Sequence, residues 1–152
     1  MEFYIKSGIA RVILGSAALK DPHLVKDAVS RFGDRIAVGI DAKNGYAAAE
    51  GWTETSNVYF TDLAKQMESM GVKTIIFTDI SKDGTLSGPN IAQLKEINNA
   101  VSCNIIASGG INDINDIKEL KQEQMYGAIC GKSIYSGSLS LKEALEVCES
   151  GD

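Results

Sequence analysis

Apolar residues are laid along this chain in two alternating patterns. Five short runs are apolar almost without interruption: Arg11-Val12-Ile13-Leu14-Gly15, Ile36-Ala37-Val38-Gly39-Ile40, Thr74-Ile75-Ile76-Phe77-Thr78, Asn104-Ile105-Ile106-Ala107 and Gly127-Ala128-Ile129-Cys130. Continuous rather than alternating apolar character predicts strands covered on both faces, as in a parallel sheet. The segments between them repeat at helical spacing. Over residues 22–32, Leu24, Val25, Ala28, Val29 and Phe32 fall on one face. Over 58–70 the same is true of Leu63, Ala64, Met67 and Met70, and Gly71 is placed to end that helix. Shorter helices are expected over 91–100 and over 114–121, the second capped by Asp113. A last helix is expected over 139–148, with Ser138 or Ser140 as its cap. A short amphipathic stub precedes the first strand.

Strands and helices therefore alternate five times. Strict alternation with right-handed crossovers predicts an α/β protein with a parallel sheet. No Pro/Gly/Ser linker interrupts the pattern, so residues 1–152 read as a single domain. Five βα units are compatible with an open doubly wound sheet or with part of an eight-unit barrel. The strand ends bear on that choice. The runs finish in Gly15-Ser16, Asp41, Thr78-Asp79, Gly109-Gly110 and Gly131-Lys132-Ser133, all residues suited to phosphate or proton chemistry. Chemistry at the carboxyl end of each strand is the habit of the barrel.

Composition narrows the function classes. The formal net charge of −5, with no block of Lys or Arg, disfavours a nucleic-acid surface, which needs clustered cations. A small anion remains accessible, because a few backbone N–H groups can hold one phosphate. No apolar run is long enough for a membrane span, and residues 1–6 resemble no secretory signal. Cys103, Cys130 and Cys148 have no CxxC spacing and read as reduced, mostly buried thiols. Together these features predict a cytoplasmic location. His23, the single histidine, follows Pro22 at a helix start and reads as a surface residue, so a metal site has little support.

The glycine-rich turns carry the clearest chemistry. Ser108-Gly109-Gly110-Ile111 and Cys130-Gly131-Lys132-Ser133 follow consecutive strands. Glycine allows close approach to a ligand, and helix N-terminal amides favour an anion, so the two turns could converge on one phosphate. The alternative is a pair of tight turns with no ligand. Leu14-Gly15-Ser16-Ala17 resembles the last of these turns and hints at a second phosphate pocket. Asp41, directly after a buried strand, suits a general acid or base, or else a structural carboxylate bonded to loop amides or Lys43. Thr78 and Asp83 are the better candidates in Thr78-Asp79-Ile80-Ser81-Lys82-Asp83-Gly84-Thr85, where Asp79 could equally be a pairing or capping group. Trp52, in a stretch without apolar periodicity that reads as a long loop, either stacks on a planar ring or pins the loop.

Four stretches taken together resemble the ProFAR isomerase family of histidine biosynthesis: Arg11 to Ala18, Gly39-Ile40-Asp41-Ala42-Lys43-Asn44-Gly45, Phe77 to Asn90, and Ile106-Ala107-Ser108-Gly109-Gly110-Ile111. The third is the most specific. The cyclase subunit of imidazole-glycerol-phosphate synthase is a close relative. The Lys43-Asn44-Gly45 segment, Gly51-Trp52 and the Gly131-Lys132-Ser133-Ile134-Tyr135 ending are more similar to the isomerase. The resemblance implies a TIM (β/α)8 barrel truncated to about five units, matching strands four to eight of the family. It implies an Amadori rearrangement of a bis-phosphorylated ribonucleotide, an aldose–ketose isomerisation that needs no cofactor. It places the general acid at Asp41, assisted by Thr78, with Asp83 as a rival on the neighbouring loop. Gly15 and Ser16 match one phosphate site; Gly109, Gly110, Gly131 and Lys132 match the other.

The same resemblance puts the family's general base on its first strand, for which this sequence has no counterpart. A chain of these five units is expected to be weakly active or inactive alone, or to act as a phosphate-binding half-barrel. It should also leave two sheet edges and an apolar inner face open, which invites self-association. A compact monomer would require helices to cover both faces in a flavodoxin-like arrangement.

Overall fold

Each of the five apolar runs is a strand in the computed structural model, which describes residues 1–49 and 54–150. A short helix α1 (Glu2–Lys6) leads to β1 (Val12–Leu14). One helical turn, α2 (Ala17–Lys20), runs into α3 (Pro22–Phe32). The long strand β2 (Ile36–Lys43) turns back as β3 (Tyr46–Ala49), followed by β4 (Glu54–Tyr59) and α4 (Phe60–Ser69). Then come β5 (Thr74–Asp79), α5 (Ile91–Ala100), β6 (Asn104–Ser108), α6 (Ile114–Gln122), β7 (Gly127–Ile129), α7 (Lys132–Ser136) and α8 (Leu141–Glu149).

The sheet is open. β1, β2, β5, β6 and β7 run parallel, each next to the neighbour that chain order dictates. β3 pairs antiparallel with the carboxyl end of β2, and β4 pairs antiparallel with β3. Alternation sends Val38, Ile40, Ala42, Ile75, Phe77, Ile105 and Ala107 to one face, where they pack with Val25, Leu63, Ala64, Met67, Leu94, Ile97 and Ile117 of the helices. Phe77 meets Phe60 of α4 with ring centroids 4.9 Å apart, a contact that contributes about 0.5–1.5 kcal/mol beyond its buried area. The opposite face carries Ile13, Gly39, Asp41, Ile76 and Ile129, and here Ile13 is 55% and Ile129 45% exposed.

Local signals start and stop the helices. Asp21 caps α3 by accepting from Leu24 N–H at 3.1 Å, and Pro22 occupies the first turn, where its missing N–H costs nothing. Asp113 and Asp116 form a capping box on α6, and the Ser140 side chain caps α8. Gly71, at φ +92°, terminates the α4 segment as its position predicted.

The structure departs from the sequence reading in several places: the short helices α2 and α7 were not expected, and the last helix, expected over 139–148, spans Leu141–Glu149. The helix expected from residue 58 begins at Phe60, because Val58 and Tyr59 belong to β4. The stretch read as a long loop contains a hairpin. Asn44 and Gly45 both adopt positive φ (52° and 83°) and join Lys43 to Tyr46, which pair directly. That is a two-residue type I′ turn, the geometry Asn-Gly favours. A Cβ at Gly45 would stand 2.5 Å from the Tyr59 ring, so glycine is required by space as well as by φ. Trp52 lies outside the described residues. Of the three thiols Cys103 is buried, Cys130 half-buried and Cys148 exposed, so the expected burial holds for Cys103 but not for Cys148. His23 is on the surface, as expected.

Candidate active site

Strand register assembles the site. Asp41 of β2 pairs with Thr78 of β5, Thr78 with Ser108 of β6, and Ser108 with Ile129 of β7. These four residues form one row across the carboxyl ends of four parallel strands. Directly paired residues share a face, so the row looks toward the side left uncovered by helices. Thr78 is buried at the centre of this row, while Asp41 is half-buried.

One cleft, of about 250 Å³, opens beside Asp41. Gly15 and Ser16 line it from the end of β1, Gly39 and Asp41 from β2, and Ala48 and Ala49 from the hairpin, over a floor of Ile13, Ile76 and Ile129. The carboxylate thus stands between a small-residue turn and an apolar surface. Asp41 and Ser16 each already have an interaction partner within the protein.

A second cleft, of about 270 Å³, lies on the other flank of the row. Ser108, Gly109, Gly110 and Ile111 form one wall, Gly131 and Lys132 another, and Asp83, Gly84 and Leu86 the third. Gly109 and Gly110 adopt φ of +91° and +83°, a pair of consecutive left-handed residues that only glycine adopts readily. A Cβ on Gly110 would collide with the carbonyl oxygen of Gly88, and one on Gly109 would lie 3.2 Å from the carbonyl oxygen of Asp79. The loop 80–90 is therefore seated directly on the glycine turn. Gly88 N–H donates to the Gly110 carbonyl at 3.0 Å, and the Lys132 ammonium donates to the Gly84 carbonyl at 2.7 Å.

The amides that would hold an anion here are not those of α6. Its own carboxylates cap that end: Asp113 accepts from Asn115 N–H at 2.8 Å, and Asp116 accepts from the N–H of Asn112, just ahead of the helix, at 2.7 Å. An anion in this cleft would rest on the glycine-turn backbone and the Lys132 cation.

Every predicted site residue within the described part can now be placed. Gly15, Ser16 and Asp41 share the first cleft. Asp83, Gly109, Gly110, Gly131 and Lys132 share the second. Thr78 joins them through the register row, and Asp83 is exposed at the second cleft's mouth, apart from Asp41. Asp79 is a pairing group. Its carboxylate accepts from Ser81 N–H, the Ser81 hydroxyl and the Asn90 amide at 3.0, 2.7 and 2.7 Å. Burial pushes the Asp79 carboxyl up, but the hydrogen bonds from Asn90 and Ser81 outweigh it and hold the group below the usual aspartate range. Residues that sequence reasoning missed are apolar or small. Ile129 lines both clefts, and Ala48 and Ala49 enter through the hairpin. The Asn44-Gly45 dipeptide between two apolar segments was the signal available for the hairpin; nothing in the run Gly127-Ala128-Ile129-Cys130 marks Ile129.

A family model described as "Histidine biosynthesis protein" matches residues 1–140. The chain is 56% identical over 149 residues to a protein of Clostridium novyi (strain NT) named 1-(5-phosphoribosyl)-5-((5-phosphoribosylamino)methylideneamino) imidazole-4-carboxamide isomerase, covering 98% of this chain and 63% of the relative. A protein of the same name from Clostridium kluyveri is 59% identical over 144 residues, covering 95% of this chain and 60% of that relative. A third, from Clostridium botulinum (strain Kyoto / Type A2), is 52% identical over 151 residues, 99% of this chain and 62% of the relative. The chain spans about three-fifths of the length of the curated relatives it matches.

Proposed function

The chain belongs to the histidine biosynthesis protein family, and from that premise we propose that it carries the acid-bearing, phosphate-holding part of an aldose–ketose isomerase acting on the bis-phosphorylated ribonucleotide ProFAR. The observation that carries this reading is the pair of clefts flanking one polar row, each with a glycine turn, with Asp41 in the first and Ile129 lining both. A substrate with a phosphate at each end would lie across the row, anchored at Gly15-Ser16 and at Gly109-Gly110-Gly131-Lys132. Two anchors fix the reacting carbon between them, and fixed geometry is what makes proton transfer efficient.

The chemistry is an internal redox exchange. The Asp41 carboxyl group protonates the ring oxygen and the ribose opens. Breaking the C1–oxygen bond leaves a protonated imine at C1; removal of the C2 proton gives an enaminol, which takes up a proton at C1 as its C2 hydroxyl loses one and so becomes the aminoketone. Thr78, next to Asp41 in register, would hydrogen-bond the opening sugar. Asp83, exposed on the loop over the second cleft, is the less favourable acid because it does not share the Asp41 cleft. The base that the family resemblance implies has no counterpart in residues 1–152, so the chain by itself would bind substrate and turn it over weakly or not at all.

The test is an isomerase assay with ProFAR on the purified chain beside Asp41→Asn. Turnover that falls in the variant by about 10²–10⁴-fold, the usual worth of a positioned acid, with substrate protection against heat retained, supports Asp41 as the acid. No turnover but intact thermal protection supports a binding-competent, non-catalytic half-barrel. Absence of both turnover and protection defeats the reading.

We propose further that the partner of this chain is a second copy of itself. Among the described residues β1 and β7 are each paired on one side only, and the face between them exposes Ile13 and Ile129. Unpaired parallel edges flanking an apolar surface favour association. Among the described residues no helix is long and apolar enough to cross a membrane.

A further inference from the structure

One buried carboxylate holds both ends of the loop that roofs the second cleft. Asp79 is the last residue of β5 and is 5% exposed. It shares the parity of Ile75 and Phe77, so it points toward the helix-covered face and away from the Asp41 row. Its Oδ1 accepts from Ser81 N–H and Oγ–H at the start of the loop, and its Oδ2 accepts from the Asn90 amide at the end. Asn90 in turn caps α5 by accepting from Gln93 N–H at 3.2 Å. Between these anchors, Gly88 bonds to Gly110, Lys132 bonds to Gly84, and the Thr85 hydroxyl donates to the Lys82 carbonyl at 2.7 Å.

We propose that Asp79 is a positioning residue: by clamping Ser81 and Asn90 it sets where Asp83, Gly84 and Gly88 stand over the glycine turn, and so shapes the phosphate cleft. Three donors converge on two acceptor oxygens. A carboxylate satisfies them; an asparagine cannot, because its own NH2 must face one of the donors. With both oxygens engaged and the group turned from the Asp41 row, a direct proton-transfer role is excluded on geometry. The proposal deepens the isomerase reading and rests on it only for the identity of the natural ligand.

The amide and the carboxylate can be exchanged. In Asp79→Asn the Asn90 amide faces a second amide. In Asp79→Asn combined with Asn90→Asp, the residue 79 amide donates to the residue 90 carboxylate, the residue 79 carbonyl still accepts from Ser81, and aspartate remains a good cap for α5. The experiment is amide hydrogen exchange on the labelled full chain, with titration of inorganic phosphate followed at Gly109, Gly110 and Gly131. Asp79→Asn is expected to speed exchange at Gly88 and to weaken phosphate binding by about tenfold or more, the ratio set by one lost charge-assisted hydrogen bond. Exchange at Ile75 and Phe77 in the core should rise by less than exchange at Gly88, because the clamp acts on the loop before it acts on the whole chain. The double variant should recover Gly88 protection and phosphate affinity. Unchanged Gly88 exchange in Asp79→Asn overturns the proposal. So does equal loss of protection at Gly88 and in the core, which would mark a merely structural role, or a folded double variant that recovers nothing. A parent chain that binds neither ProFAR nor inorganic phosphate defeats the isomerase reading, and exchange at Gly88 then decides the clamp alone.

Discussion

Asp41 and Asp79 illustrate how environment gives two carboxylates different work. Both stand at or near the carboxyl end of an apolar run, and in sequence they look alike. Asp41 faces the uncovered side, in a cleft with Gly15 and Ser16. Asp79, on the other parity, is enclosed by Ser81 and Asn90. The second environment has a pH consequence. The folded-state pKa of Asp79 lies below its unfolded value, so below about pH 4 the unfolded chain takes up more protons than the folded one. Its contribution to stability is therefore complete above that range and is lost as pH falls through the folded value. The stability gap between the parent and Asp79→Asn, measured by urea unfolding, should be widest near neutrality and shrink in acid. A gap that is constant from pH 7 to pH 3 would contradict this.

At the scale of elements, the hairpin after β2 is the feature on which the first cleft depends. It delivers Ala48 and Ala49 beside Asp41 and covers part of the otherwise bare face. Its turn is held by Asn44-Gly45, where a side chain at Gly45 would meet both an unfavourable φ and the Tyr59 ring. Gly45→Ala is expected to cost about 1–3 kcal/mol, seen as a lower melting temperature. It should also loosen the Tyr46–Tyr59 edge contact, whose ring centroids are 5.8 Å apart. A variant as stable as its parent would mean that the hairpin tolerates another turn type.

The whole molecule is a sheet with one face finished and one face open. Helices α3 to α6 and α8 cover Val38, Phe77 and Ala107, whereas Ile13 and Ile129 remain exposed on the other side. If that face is where two copies meet, light scattering across a wide concentration range should give a mass above one chain. Ile13→Lys with Ile129→Lys should then return it to 16.2 kDa, since burying two unpaired ammonium groups in an apolar interface is unfavourable. A parent chain that is monomeric at every concentration would end the self-association proposal.

The sequence by itself determined the five parallel strands and the longer helices between them, because these follow from local periodicity and from caps that act within one turn. Asp113, Ser140 and Gly71 stand where their residue types placed them. It also marked Gly15, Asp41, Thr78 and the glycine turns as strand-end residues, since strand ends are readable wherever an apolar run stops. Tertiary structure decided which of those ends share a cleft. Register between residues far apart in the chain brings Asp41, Thr78, Ser108 and Ile129 into one row. That register depends on packing both sheet faces, which no local window contains. The same holds for the parity that turns Asp79 inward. One residue's shift along a strand reverses the face of every side chain on it, and only the assembled sheet specifies which face is closed by helices.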